Sequence, residues 1–102
     1  MENDMIRRKR IKDSEEIKVT FVQPLNEERG RMFVAGEFNN WEIGSHPLRK
    51  RSNGTASAAL TLNSGDRYAF RYVTEDGRWF NDEQADDYEP NGIDGFNCVV
   101  KT

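Results

Sequence analysis

The sequence is short of most residues that announce a chemistry. Cys98 is its only cysteine, which excludes an internal disulfide and a cysteine-rich metal site and points to a reducing cytoplasm. His46 is its only histidine, in a turn before Pro47 with no nucleophile near it in the chain, and reads as a solvated surface residue. No apolar run approaches the ~20 residues that cross a bilayer, and the N-terminal stretch lacks a hydrophobic signal-peptide segment, so a cytoplasmic protein without a membrane partner is expected. Charge of one sign is also missing. A net charge of −3 gives no general pull toward nucleic acid or anionic lipid. No run has the 3.6-residue apolar period of a long helix.

What is present is one domain's worth of short strands. A chain of 102 residues suits a single modest core. Its first sixteen residues, "MENDMIRRKRIKDSEE", have no apolar period and side-chain charges that cancel, and are expected to be a flexible lead-in to a sandwich over 17–102. "IKVTFV" (17–22) alternates, with Ile17, Val19 and Phe21 on one face. Further strand signals lie at 31–38, 55–62, 66–75, 78–82 and 97–102, separated by turn residues. Asp76-Gly77 is the strongest hairpin signal and suggests a type I′ turn. These spacings imply an all-β fold, an antiparallel β-sandwich of immunoglobulin-like type. The cysteine pair of antibody domains is absent.

Catalysis has little support. The carboxylates Asp82, Glu83, Asp86, Asp87 and Glu89 cluster in sequence, but their spacing is not that of a calcium loop and they read as a solvated loop. "RRKR" could touch phosphates, yet its acidic neighbours leave a weak electrostatic footprint. No catalytic residue, metal or cofactor is expected. The aromatic and amide residues say more. A flat indole covers the C–H face of a sugar ring, and an asparagine offers donors and acceptors to its hydroxyls. Trp41 follows Asn39 and Asn40, Trp79 precedes Asn81, and Asn97 opens the last strand. Pattern alone leaves both rings open between core and ligand. Trp79 and Phe80 must point to opposite faces of a strand, and the sequence does not say which is inward.

The ordered motifs "VAGEFNNW", "GDRYAFRYVTEDGRWFND" and "YEPNGIDGFNCVV" resemble a family-48 carbohydrate-binding module over roughly residues 17–101. That family includes the early-set domains of isoamylases and glycogen-branching enzymes, and the glycogen-binding domain of the AMP-activated protein kinase β subunit. The variant here is most similar to small stand-alone bacterial forms with an early-set domain. The resemblance implies non-catalytic binding of α-1,4-glucan, as glycogen, starch or maltooligosaccharide. Trp41 and Trp79 would form the stacking platform, and Asn97 would bond hydroxyls. Asn81 adds an amide beside Trp79, and Ile93 matches a leucine on the loop that meets the glucan in the kinase subunit. Two departures stand out. Ala69 replaces a sugar-contacting lysine, with Arg71 as substitute on the same strand face, and Gly95 replaces a threonine. The alternative is an accessory or protein-interaction module, associated with a glucan-metabolising enzyme and without sugar binding of its own.

Overall fold

The computed structural model describes residues 5–102 as two antiparallel sheets packed face to face, an immunoglobulin-like sandwich. One sheet has the order β1 (Ile6–Arg10), β2 (Glu16–Pro24), β5 (Thr55–Asn63), β4 (Arg49–Lys50). The other runs β3 (Met32–Gly36), β6 (Arg67–Thr74), β9 (Phe96–Lys101), β8 (Asp87–Pro90), with β7 (Trp79–Phe80) also on β6. No described residue is α-helical; a single 3-10 turn covers Glu37–Asn39. No helix here is long and apolar enough to cross a membrane.

Alternation sets the core. Ile17, Val19 and Phe21 point inward from β2 and meet Met32, Val34, Phe70, Tyr72, Cys98 and Val100 from the facing sheet. Phe21 and Phe70 meet edge to face at 4.9 Å, and both are fully buried. Truncating either to alanine would cost about 3–5 kcal/mol.

Three expectations need correction. The lead-in placed over 1–16 is not wholly outside the sandwich. Residues 1–4 fall outside the described part, but Ile6–Arg10 pair with β2 in full register and Ile6 is buried in the core. Arg8 then crosses to the second sheet, pairing with the Asp86 carboxylate and donating Nε to the Lys101 carbonyl at 3.0 Å. One inward apolar residue and one bridging arginine suffice for an edge strand, which its charges keep from pairing further. The second correction is the Asp76-Gly77 hairpin. Only Gly77 has a positive φ, 88°, and its N–H bonds the Thr74 carbonyl at 2.9 Å. This is the longer loop with one left-handed glycine, not type I′. The Asp76 carboxylate accepts from the Thr74 hydroxyl and from Arg78, which ties the loop together across its base.

The third concerns Asp82, which is not a solvated loop residue. It is 1% exposed, accepting from the Tyr72 hydroxyl at 2.9 Å and from the Gln84 N–H at 2.8 Å. Burial raises its carboxyl above the usual range, against the lowering effect of those two donors. Asp86, Asp87 and Glu89 are taken up in ion pairs with Arg8 and Arg67.

Candidate functional site

The stretch "GEFNNW" follows β3 and turns sharply. Gly36 must lack a side chain, because a Cβ there would sit 2.5 Å from the Ala69 carbonyl oxygen and 2.8 Å from the Phe70 Cβ. Phe38 turns inward to 5.5 Å from Phe21. Asn39 closes the turn: its Oδ1 accepts the Gly36 N–H at 3.0 Å, and its Nδ2 donates to the Val34 carbonyl at 3.1 Å. The same Nδ2 lies 2.9 Å from His46 Nδ1. His46 is therefore half-buried and braces this turn, rather than being a solvated bystander.

Asn40 and Trp41 both adopt left-handed backbone, with φ of 56° and 58°. Asparagine tolerates this region; tryptophan does so at a cost of about 1–3 kcal/mol. The Trp41 N–H bonds the Gly36 carbonyl at 2.8 Å and holds the residue there. Its indole is left half-buried over the outer face of the second sheet.

The second tryptophan reaches the same face by strand register. β9 pairs with β6 up to Phe70↔Cys98, and β7 takes over at Tyr72↔Phe80 and Val73↔Trp79. Phe80 shares the core face with Tyr72 and stacks on it at 5.3 Å. Trp79 is thus the outward member of the pair, 37% exposed.

Arg71 occupies the gap between β9 and β7, also facing outward. Its Nε donates to Asn81 Oδ1 at 2.8 Å, and its Nη1 donates to both Asp94 oxygens at 3.0 Å. Its guanidinium carbon lies 6.0 Å from the centre of the Trp79 ring, at the outer limit of a cation–π contact. The Arg71 donors, followed by Asn91, hold the Asp94 carboxyl below the usual range. Arg71 is consequently an organising residue as well as a rim residue.

Asp94 belongs to the loop between β8 and β9. Asn91 builds that loop: its Oδ1 accepts the N–H groups of Ile93 and Asp94 at 2.9 and 3.0 Å, and its Nδ2 donates to Asp94 Oδ1 at 2.8 Å. This lifts Ile93 to 91% exposure at the loop tip.

Trp41, Arg71, Trp79, Asn91, Ile93, Asp94 and Asn97 line one open concavity of about 430 Å³. It brings together every residue singled out from the sequence except Asn81, which lies behind Arg71 and donates to the Phe96 carbonyl at 2.9 Å. Asn91 and Asp94 were missed. Their signal was the Asn-Gly turn in "PNGIDG", read only as a loop. Ala69 is 3% exposed, and its N–H is taken by Glu37 Oε1 at 2.7 Å. A groove of about 480 Å³ lies elsewhere, lined by Leu25, Met32, Leu48 and Ala56 among others. It offers no aromatic ring, so slightly greater size does not make it the better site. Among the described residues no group of three or more His, Cys, Asp or Glu could hold a metal ion.

The concavity thus offers two indoles, two amides and a carboxylate–guanidinium pair, all partly wet. Such a set can stack on flat apolar faces and exchange hydrogen bonds with hydroxyls.

No protein-family model matches the chain. Locally it is similar to bacterial glucan-branching enzymes. The 1,4-alpha-glucan branching enzyme GlgB 2 of Xanthomonas campestris pv. campestris is 43% identical over 49 residues, 47% of this chain and 7% of that enzyme. The GlgB 2 of Xanthomonas oryzae pv. oryzae is 37% identical over 49 residues, with the same coverage. The GlgB of Nitrobacter winogradskyi is 40% identical over 45 residues, 43% of this chain and 6% of that enzyme. The match covers about half of this chain and less than a tenth of these relatives.

Proposed function

We propose that this chain is a non-catalytic module that binds α-1,4-glucan, of the family-48 carbohydrate-binding type, through a platform formed by Trp41 and Trp79. One observation carries the reading: two tryptophans 38 positions apart in sequence line the same concavity, and the backbone of one is left-handed there. Strained residues of this kind cluster at sites where a side chain must be aimed. Local similarity to glucan-branching enzymes supports the same ligand class.

In this reading successive glucose rings stack their apolar faces on the indoles. Asn97 and Asn91 exchange hydrogen bonds with hydroxyls at the rim, and the remaining Arg71 N–H groups and Asp94 lone pairs do the same. Ile93 packs against the sugar from the loop tip. Solvent competes with every one of these contacts, so affinity for a short oligosaccharide is on the order of micromolar to millimolar. A polymer offering many equivalent sites raises the effective affinity. Native electrophoresis in gels containing glycogen tests the reading. Retardation that disappears in Trp79→Ala supports it; equal mobility with and without glycogen sinks it.

The second reading is an accessory module that attends a glucan-metabolising enzyme and binds no sugar. Ala69 favours it, since the lysine expected there in sugar-binding relatives is replaced by a buried methyl group. In that case the glycogen gel shows no retardation, while the fold and the concavity remain intact.

A further inference from the structure

The two outer faces of the sandwich differ in charge, and the face opposite the tryptophans has no assigned role. Residues paired across antiparallel strands share a face. The outer face of the first sheet therefore carries Arg7 beside Thr20 and Ala59, Lys9 beside Lys18 and Thr61, and Arg49 beside Ser57. Arg51 extends it, laying its Nε 2.8 Å from Ser57 Oγ. Against these five exposed cations the described residues of this sheet's strands place one carboxylate on this face, Glu16, at the far end of β2.

Three features separate this face from an ordinary solvated one. The chain as a whole has a net charge of −3, so the cations are segregated rather than sampled from a basic composition. Among the described residues none of the five lies within ion-pair distance of a carboxylate, whereas Arg8, Arg31, Arg67, Arg71 and Arg78 all do. Lys9 and Lys18 are direct cross-strand partners, an arrangement that destabilises the sheet. A local rule broken without a compensating contact inside the fold points to a contact outside it.

We infer that this face docks onto an acidic surface of a partner protein. Its middle is Thr20, Ala59 and Thr61, small side chains that leave a flat surface able to lie flush against another. The cations surround that middle and supply complementary charge, which favours encounter and orientation. Single-stranded nucleic acid is disfavoured because the described residues of the face include no aromatic ring on which a base could stack, and the major groove of a duplex needs a protruding helix or ribbon. The face lies on the opposite side of the sandwich from the tryptophan concavity, so both can be occupied at once. The inference does not depend on what the concavity binds.

Lys9→Glu gives a test in which folding and docking move in opposite directions. It turns the repulsion with Lys18 into attraction, so the urea midpoint holds or rises. Docking loses one attraction and gains one repulsion. The probe is poly-L-glutamate, titrated into the full chain at about 50 mM salt and followed by backbone amide NMR. Shifts confined to Arg7, Lys9, Lys18, Arg49, Arg51 and their strand neighbours are expected, with affinity about fivefold weaker in Lys9→Glu. Four results would overturn the inference: no shifts, shifts spread equally over Arg67 and Arg78, unchanged affinity in Lys9→Glu, or tighter binding of oligothymidylate or phosphatidylserine vesicles at equal anionic charge.

Discussion

Trp41 offers a test in which the usual order of two substitutions is reversed. At ordinary positions glycine is less stable than alanine by about 0.5–1 kcal/mol, because its unfolded chain has more freedom to lose. At φ 58° alanine retains a Cβ that collides with the following carbonyl, a penalty of about 1–2 kcal/mol that glycine escapes. The difference leaves Trp41→Gly more stable than Trp41→Ala by about 0.5–1 kcal/mol. Both lose the half-buried indole; about 100 Å² of lost burial corresponds to roughly 2.5 kcal/mol. Both are therefore less stable than the parent, but only the alanine variant keeps the strain. Urea denaturation reads the pair, with midpoints about 0.2–1 M apart at the slopes usual for small domains. Both variants should lose maltoheptaose binding to the same degree, since both lack the ring. If alanine is the more stable of the two, the left-handed geometry that aims Trp41 is refuted. If either variant binds like the parent, Trp41 is not part of the platform.

Gly36→Ala should destabilise by about 1–3 kcal/mol, measured by urea denaturation, because its Cβ would press on the Ala69 carbonyl and the Phe70 Cβ of β6. Asp82 makes stability pH-dependent: its folded carboxyl titrates above the unfolded one, so the native state holds a proton that the unfolded chain has released in that window. Its contribution is present below the unfolded value and lost as pH rises through the folded value; Asp82→Asn should flatten that part of a melting-temperature profile. Arg71→Ala should weaken glucan binding more than Arg71→Lys, because alanine frees the Asp94 loop while lysine keeps one of its ion-pair contacts. A calorimetric titration with maltoheptaose ranks the two, and equal affinities would contradict the organising role of Arg71.

Much of the fold was legible in the sequence because period-2 alternation and turn residues report directly on strands. "IKVTFV" declares its inward face, and the runs at 55–62 and 66–75 match β5 and β6 closely. The strands that escaped notice are β1, β4 and β8, which lie on sheet edges and bury little. Charged residues hide an edge strand because its pairing comes from backbone groups, which carry no sequence signature. The orientation of Trp79 was equally hidden. It depends on which residue of β6 pairs with it, a long-range register that a short aromatic pair cannot state. Asn91 and Asp94 reach the concavity through side-chain bonds within a loop and to Arg71, again invisible to periodicity. Asp82 looked like its acidic neighbours and differs because it is buried against the Tyr72 hydroxyl and the Gln84 N–H, partners that its acidic sequence context does not show.

The platform itself is tested most directly by the indole N–H resonances of Trp41 and Trp79, followed by NMR as maltoheptaose is added to the full chain. A working platform shifts both resonances along one saturable curve at micromolar to millimolar sugar, on the order expected for two exposed stacks. Two indole signals unmoved at several-millimolar maltoheptaose, or only one of them moving, would contradict it.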